Sequence, residues 1–340
     1  MPNKKKPRKV TLLDVAEHAG VSRATASLVL RGSKLVADKT RQQVLASMEA
    51  LGYVYNRAAA NLRAQKSHTI GLVVTDITNP FFAELAVCIE AALENLDYTV
   101  MLCNSRDNLD KQDRLLRVLS GHMVDGIVIC PAQGSTSNTI QTLKQWQIPV
   151  VLVARYIEGS TIDYAGADNI LGASMAVDHL VSKGHTRIAF LGGVSDSSAR
   201  NERQTGYQEA LQRHNLAFDP TLSVTSPVSR QGGFDALTYL LDQPDPPTAA
   251  VCFNDVVAFG AMLGLQARNL TPGIDFSIIG FDDIADAALV RPALTTIAIK
   301  PQEIGEAATS LLLNRLQNPD RDHLRSVLKP HLVVRESTSA

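Results

Sequence analysis

Residues 11–30, TLLDVAEHAGVSRATASLVL, read as two short helices around a tight turn. Thr11 stands at a helix N-cap with Asp14 three residues on, a capping-box pattern in which side chains take up amides that the first turn leaves unpaired. Val15, Ala16 and Ala19 give that helix an apolar stripe, Gly20 supplies the positive φ of a sharp turn, and Val21 plugs the corner. Ser22 is a second N-cap, and Ala26, Val29 and Leu30 form the inner face of the second helix. Arg23, Ala24, Thr25, Ser27 and Leu28 are left on or near its other face. Short side chains there let a helix sit deep in a major groove, and Arg23 reaches a guanine edge or a phosphate. The same spacing also fits a plain packed αα-hairpin, so evidence from the rest of the chain must choose between them.

The charge distribution makes that choice. The chain has 340 residues, enough for two or three domains, and a net charge of −1. Residues 1–66 hold thirteen lysines and arginines against four acids, a charge of +9, which leaves −10 for the remainder. A basic head on an acidic body is the footprint of a polyanion-binding module joined to something else. A solvated tail accounts for Lys4–Lys9, but not for basic residues interleaved with apolar periodicity. Nucleic acid is the expected partner.

After a break at Arg31-Gly32-Ser33, a third helix is expected over about 38–51, with Val44, Met48 and Leu51 at i, i+4 and i+7 and Gly52 ending it. Residues 56–65, NRAAANLRAQ, are helix-prone but too short to hold a helix alone in water. They read either as a plain linker or as a hinge that orders against a partner and DNA. In the second case Leu62 is a minor-groove wedge flanked by Arg57 and Arg63.

From Thr69 the pattern becomes α/β. Strand-like runs fall at 70–75, 99–103, 126–130, 150–154, 187–191, 249–253, 277–281 and 295–299, with helix-period segments such as 82–96, 110–120, 171–183 and 201–214 between them. This alternation predicts parallel, doubly wound sheets, and two successive sets, about 69–160 and 165–295, predict two similar lobes. Ligands of such folds sit at the carboxyl ends of strands. The residues there are polar or aromatic: Asn79, Phe81 and Phe82, then Arg155, then Asn254-Asp255 and Asp282-Asp283.

Other chemistries lack their signatures. No GxGxxG follows a strand, and neither GxxxxGK[ST] nor GxSxG occurs. Gly192-Gly193 is better read as a strand exit than as a phosphate turn, and Asp282-Asp283 as one hydroxyl acceptor and one structural group, because neighbours at a strand end point different ways. The four cysteines have no paired spacing and read as reduced core residues. The eight histidines show no metal-ligand spacing, so no metal or cofactor is expected. The basic start runs into the capped helix without an apolar stretch, and no window approaches 18 uninterrupted apolar residues. A cytoplasmic protein without a membrane span is the expectation.

In order along the chain, VTLLDVAEHAGVS, LGYVYNRAAANLR, IGLVVTDITNPFF, ARNERQTGY, VCFNDVVAFGAM, SIIGFDD and LTTIAIKP resemble the lactose/galactose-repressor family, from Thr11 to about Arg335. SLVL and the NR–A–LR hinge look closest to its maltose-regulon repressor branch. The resemblance implies an all-α helix-turn-helix head with a hinge helix, and an α/β two-lobed core like a periplasmic sugar-binding protein. It implies a homodimer on a palindromic operator in double-stranded DNA, with no catalysis, gated by a small effector that is a sugar or sugar phosphate. The boundaries are a head over 1–55, a hinge over 56–66 and a core over 67–340. Within the core, lobe one covers about 67–162 plus 299–325, and lobe two about 163–298 plus 326–340.

Carried over by position, Arg23, Ala24 and Leu28 read bases; Ser22, Thr25, Ser27 and Asn56 hold backbone or helix starts; Leu62 is the hinge wedge; Thr11 and Ala59 complete the expected DNA-binding set. Leu28 stands where many members have Arg, and Tyr55 replaces the usual proline before the hinge. Asn79, Phe81, Phe82, Arg155, Arg203, Asn254 and Asp282 are the implied effector residues: aromatic faces for a sugar ring, and Arg, Asn and Asp for its hydroxyls. Ala154 and Ile299 stand where relatives carry polar partners, which suits a smaller or less hydroxylated guest. Four alternatives remain at this level: a regulator of a non-sugar metabolite, a solute-binding protein without regulation, a sugar-acting α/β enzyme using Asp282, Asp283 and Arg203, and an architectural DNA-binding protein without effector. A gap closed by Arg203 paired to Asp282, with no room for a guest, would remove the receptor half of the reading.

Overall fold

The computed structural model describes residues 10–30, 33–54 and 66–338. The chain divides into two compact units, Met1–Ser67 and His68–Ala340. In the first, α1 (Leu12–His18), α2 (Arg23–Leu30) and α3 (Asp38–Leu51) pack on one small core. The capping box is present: the Asp14 amide donates to Thr11 Oγ1 at 3.3 Å, and the Thr11 amide donates to Asp14 Oδ2 at 2.7 Å. Gly20 takes φ +66° at the turn, and Gly52 ends α3 at φ +62°, both in the left-handed region where a side chain is costly. Val15, Ala16, Ala26, Val29, Val36 and Val44 are buried, with Val21, Met48 and Leu51 half-buried against them.

One expectation shifts. Leu28, expected on or near the outer face of α2, packs half-buried against this core, and Leu30, expected on the inner face, is not among its members. Arg31, Gly32 and the expected hinge residues 56–65 lie outside the described residues.

In the second unit each of the eight expected extended runs contains a strand. Sheet one has the order β2 (Thr99–Asn104), β1 (Thr69–Val74), β3 (Gly126–Ile129), β4 (Val150–Val153), β5 (Asp163–Ala167), β11 (Arg325–Leu328), and every pair is parallel. Sheet two repeats the order with β7 (Ser223–Val224), β6 (Ile188–Leu191), β8 (Ala249–Cys252), β9 (Ser277–Asp282), β10 (Thr295–Ala298) and β12 (His331–Val333), where only β12 is antiparallel.

Helices cover both faces, which is why the strands are nearly continuous in apolar residues. Along β1, Ile70, Leu72 and Val74 share a core with Leu85, Ile89 and Leu93 of α4 (Pro80–Glu94). Val73 points the other way, to Leu116 and Leu119 of α5 (Leu109–Gly121). α6 (Ser137–Gln145) also belongs to lobe one. Lobe two carries α7 (Asn169–Ser182), α8 (Ser198–Arg213), α9 (Arg230–Leu241), α10 (Asp255–Gln266) and the short α11 (Asp286–Leu289), before α12 (Pro301–Gln317) packs on α4 and on β5.

The lobe boundaries differ from expectation. β5 and β11 both belong to sheet one, so the chain leaves lobe one after Ala167 rather than at 162, returns after Ala298, and leaves again after Leu328 rather than at 325. The sequence DYAGA of β5 lacks the branched apolar side chains that announce the other strands. It is recruited by its first residue. Asp163 is buried and accepts from Arg315 Nε and Nη2 at 3.1 Å each, from Arg321 Nη1 at 2.9 Å and Nη2 at 2.8 Å, and from the Leu324 amide at 2.7 Å. That clamp ties the end of α12 and the start of β11 to the sheet.

Candidate functional site

The carboxyl ends of the strands in both lobes open on one cleft of about 680 Å³. This is where the strand order reverses, at β1 between β2 and β3, and opens a crevice in a doubly wound sheet. All seven residues expected at an effector site line it: Asn79, Phe81, Phe82, Arg155, Arg203, Asn254 and Asp282. Ala154 and Ile299 line it as well, leaving apolar wall where a polar partner was expected to be missing.

In lobe one, Asn79 caps α4, its Oδ1 accepting the Phe81 amide at 3.1 Å. Phe81 and Phe82 pack edge to face with centroids 5.1 Å apart, and both are members of the core as well as of the cleft wall. Arg155 follows β4, and its Nη1 donates to Asp107 Oδ1 at 2.7 Å. Asp107 also accepts the Gln133 amide at 2.8 Å.

In lobe two, Arg203 rises from α8 into the cleft. Its guanidinium lies 4.7 Å from the Phe253 ring centre and 3.6 Å from that of Phe281. Its Nε donates to Asn169 Oδ1 at 2.9 Å and its Nη1 to the Phe253 carbonyl, while Nη2 stands 3.8 Å from Asp282 Oδ1. Burial lowers the pKa of Arg203 to about 10 against the pull of Asp282. Asn254 caps α10, accepting the Val257 amide at 3.1 Å, and donates its side-chain amide to Asp282.

Asp282 and Asp283 take φ +115° and +59°, a strained pair that sends the two carboxylates apart. Asp283 accepts from Arg335 Nη2 at 2.7 Å outside the cleft, and Asp282 faces into it. Burial pushes the pKa of Asp282 up to about 7, more than Arg203 and the Asn254 amide draw it down. The loose Arg203–Asp282 approach does not close the cleft, which has room for a small guest.

Sequence reasoning missed Asp107, Gln133 and Asn169, which line the cleft; Asp255, named among the strand-end residues, is absent from the lining and lies buried behind it. Asp255 is fully buried, accepting the Thr296 hydroxyl at 2.6 Å and the Ile284 amide at 2.9 Å; burial and the neighbouring Asp282 hold its pKa well above the usual carboxylate range. Asp107 was within reach of the strand-end rule, since it follows β2. Asn169 was not, because it follows a strand that the pattern did not reveal.

On the first unit, Ser22, Arg23 and Ala24 are exposed at the start of α2, and Thr25, Ser27 and Leu28 are half-buried. Ser22 Oγ accepts the Thr25 amide at 3.0 Å, so it caps the helix as expected. Thr11 is spent on its own capping box. Asn56, Ala59 and Leu62 lie outside the described residues. Among the described residues no three His, Cys, Asp or Glu side chains gather as a metal site, and no helix is long and apolar enough to cross a membrane.

Two family models match. "Bacterial regulatory proteins, lacI family" covers residues 11–56, and "Periplasmic binding proteins and sugar binding domain of LacI family" covers residues 67–337. The ribose operon repressor of Escherichia coli (strain K12) is 33% identical over 328 residues, 96% of this chain and 99% of that one. Catabolite control protein A of Priestia megaterium is 35% identical over 97% of this chain and 99% of its own. Among solved structures, the lac repressor dimer bound to operator and the anti-inducer ONPF superposes with a TM-score of 0.87 at 28% identity, covering 98% of this chain and all of that one (100%).

Proposed function

Because the chain belongs to the lacI family of bacterial regulatory proteins, we propose that it is a cytoplasmic repressor of carbohydrate-utilisation genes, a homodimer on a palindromic operator controlled by a sugar-like effector. The observation that carries this reading is the presence, on one chain, of a capped helix-turn-helix with Ser22, Arg23 and Ala24 exposed and a guest-sized cleft between two lobes. α2 reads the major groove. A change of angle between the lobes is passed to the head through the chain that joins them. Asn79, Phe81, Phe82, Arg155, Arg203, Asn254 and Asp282 hold the guest, whose differential affinity for the two lobe arrangements supplies the energy of the switch.

The test is anisotropy titration of the full chain against DNA from upstream of its own coding region. One symmetric site should bind with a steep, linear fall of log K against log salt, and Arg23→Ala should weaken that site by about 1–3 kcal/mol. Binding without sequence preference, or with a shallow salt dependence, would remove the reading.

A further inference from the structure

Anions are ordinarily held by helix amides at an N-terminus or by an arginine fork that has no carboxylate of its own. In this cleft the two buried arginines already have protein partners, and one amide at each of three helix starts is capped, while Arg106 on the same wall is exposed to solvent. At the start of α4 the Phe81 amide is bound by Asn79, at α10 the Val257 amide by Asn254, and at α7 the Leu171 amide by Asp168 Oδ1 at 2.9 Å. Arg203 is spent on Asn169, the Phe253 carbonyl and the approach to Asp282. Arg155, only 8% exposed, is in direct contact with Asp107.

That last contact is built with effort. Arg106 and Asp107 are consecutive residues at φ +54° and +51°, a conformation side chains adopt only when their surroundings hold them there. Asp107 Oδ1 is the anchor, joining Arg155 Nη1 and the Gln133 amide across two loops. On the cleft wall, Asp76, Asp107 and Asp282 stand with Arg106, Arg155 and Arg203, and Phe81 and Phe82 supply an apolar face.

We propose that Asp107 is a specificity-determining residue: by neutralising Arg155 it makes the cleft accept an uncharged polyhydroxylated ring and refuse phosphate esters and other anions. This rests on the cleft being a sugar receptor, and it chooses between the two effector classes that the sequence left open. A phosphate entering beside Arg155 would have to displace Asp107 or lie against its carboxylate in a site of low dielectric.

The test is thermal unfolding of the full chain with D-ribose, D-glucose and cellobiose against ribose 5-phosphate, glucose 6-phosphate and inorganic phosphate. It is run on the wild type and on Asp107→Asn, which keeps the shape and an oxygen for the Gln133 amide. In the wild type a neutral sugar should raise the midpoint by about 5 °C while its phosphate ester does not. Asp107→Asn should respond to inorganic phosphate at a concentration at least about tenfold below that needed by the wild type, since Arg155 then has a charge to spare. A wild type stabilised by a phosphate ester as readily as by the parent sugar overturns the role of Asp107 and leaves the receptor reading standing. An Asp107→Asn protein that gains no phosphate response also overturns it. A wild type unmoved by every neutral sugar, beside a variant that does gain phosphate, overturns the sugar reading and leaves the charge role of Asp107 intact. If the variant does not fold, the wild-type comparison still decides.

Discussion

Asp163 in lobe one and Asp282 in lobe two are both buried aspartates close to arginine, yet their environments act in opposite directions. Asp163 receives five hydrogen bonds, four from two guanidinium groups and one from an amide. Burial alone would raise its pKa, but the bonds from Arg315 and Arg321 win and hold it below the usual range. Asp282 receives the Asn254 amide and only the distant edge of an arginine already engaged elsewhere, so burial wins. The first is a closed structural lock. The second is a carboxyl short of donors at the mouth of a cleft, which a hydroxyl could supply. What separates a lock from a binding group here is how many donors reach the oxygens, not how deeply the group is buried.

The largest test of that contrast is Asp163→Ala. Removing the shared acceptor leaves two arginines, each 15% exposed at the side chain, without a counter-charge, and should cost about 3–5 kcal/mol in denaturant unfolding. A loss below about 1 kcal/mol would show that the clamp is no more than a surface pair.

The second test uses pH. Asp282 has a folded pKa near 7 and an ordinary value of 3.8, so between these the folded state holds the proton that the unfolded chain has released. Its contribution is therefore lost as pH rises from about 4 to about 7 and is constant above. Asp282→Asn should flatten that fall and raise the stability of the unliganded protein at pH 7.5 by at least about 1 kcal/mol. Asp163 has the reverse sign, its contribution being present above the ordinary value and lost as pH drops through its lowered one. Melting curves at pH 5 and 7.5 that move alike in wild type and Asp282→Asn would contradict the assignment.

The smallest effect belongs to Asp283→Ala. The Arg335–Asp283 pair has side chains 19% and 24% exposed, and Arg335 keeps its bond to the Leu294 carbonyl, so a loss under about 1 kcal/mol is expected from the same unfolding assay.

Much of this was legible before any tertiary structure. The apolar runs became strands because a strand buried on both faces must be apolar throughout, and that signal is local. Thr11 with Asp14, Ser22 and Gly52 marked helix ends by side-chain chemistry acting within three residues. Six of the seven cleft residues fall at strand ends, which carry function in this kind of sheet, a rule of topology that needs only strand positions; Arg203, inside α8, came only from the family resemblance. Where strands were faint, the rule had nothing to act on: β5 was hidden by its Ala and Gly content, and Asn169 was hidden with it. α10 is buried on most of its faces and so lacks the amphipathic period that marks α5.

The sequence alone determined the division into a basic helical head and an acidic α/β body, the caps, and the strand ends that line the cleft, since each follows from composition or from neighbours along the chain. The tertiary structure alone decided which sheet β5 and β11 join, that Asp107 stands against Arg155, and that Asp163 meets two guanidinium groups while Asp282 meets one amide and the far edge of one arginine. Those outcomes depend on partners 48 and 152 residues apart, and at that separation only packing sets which groups meet and how many donors arrive.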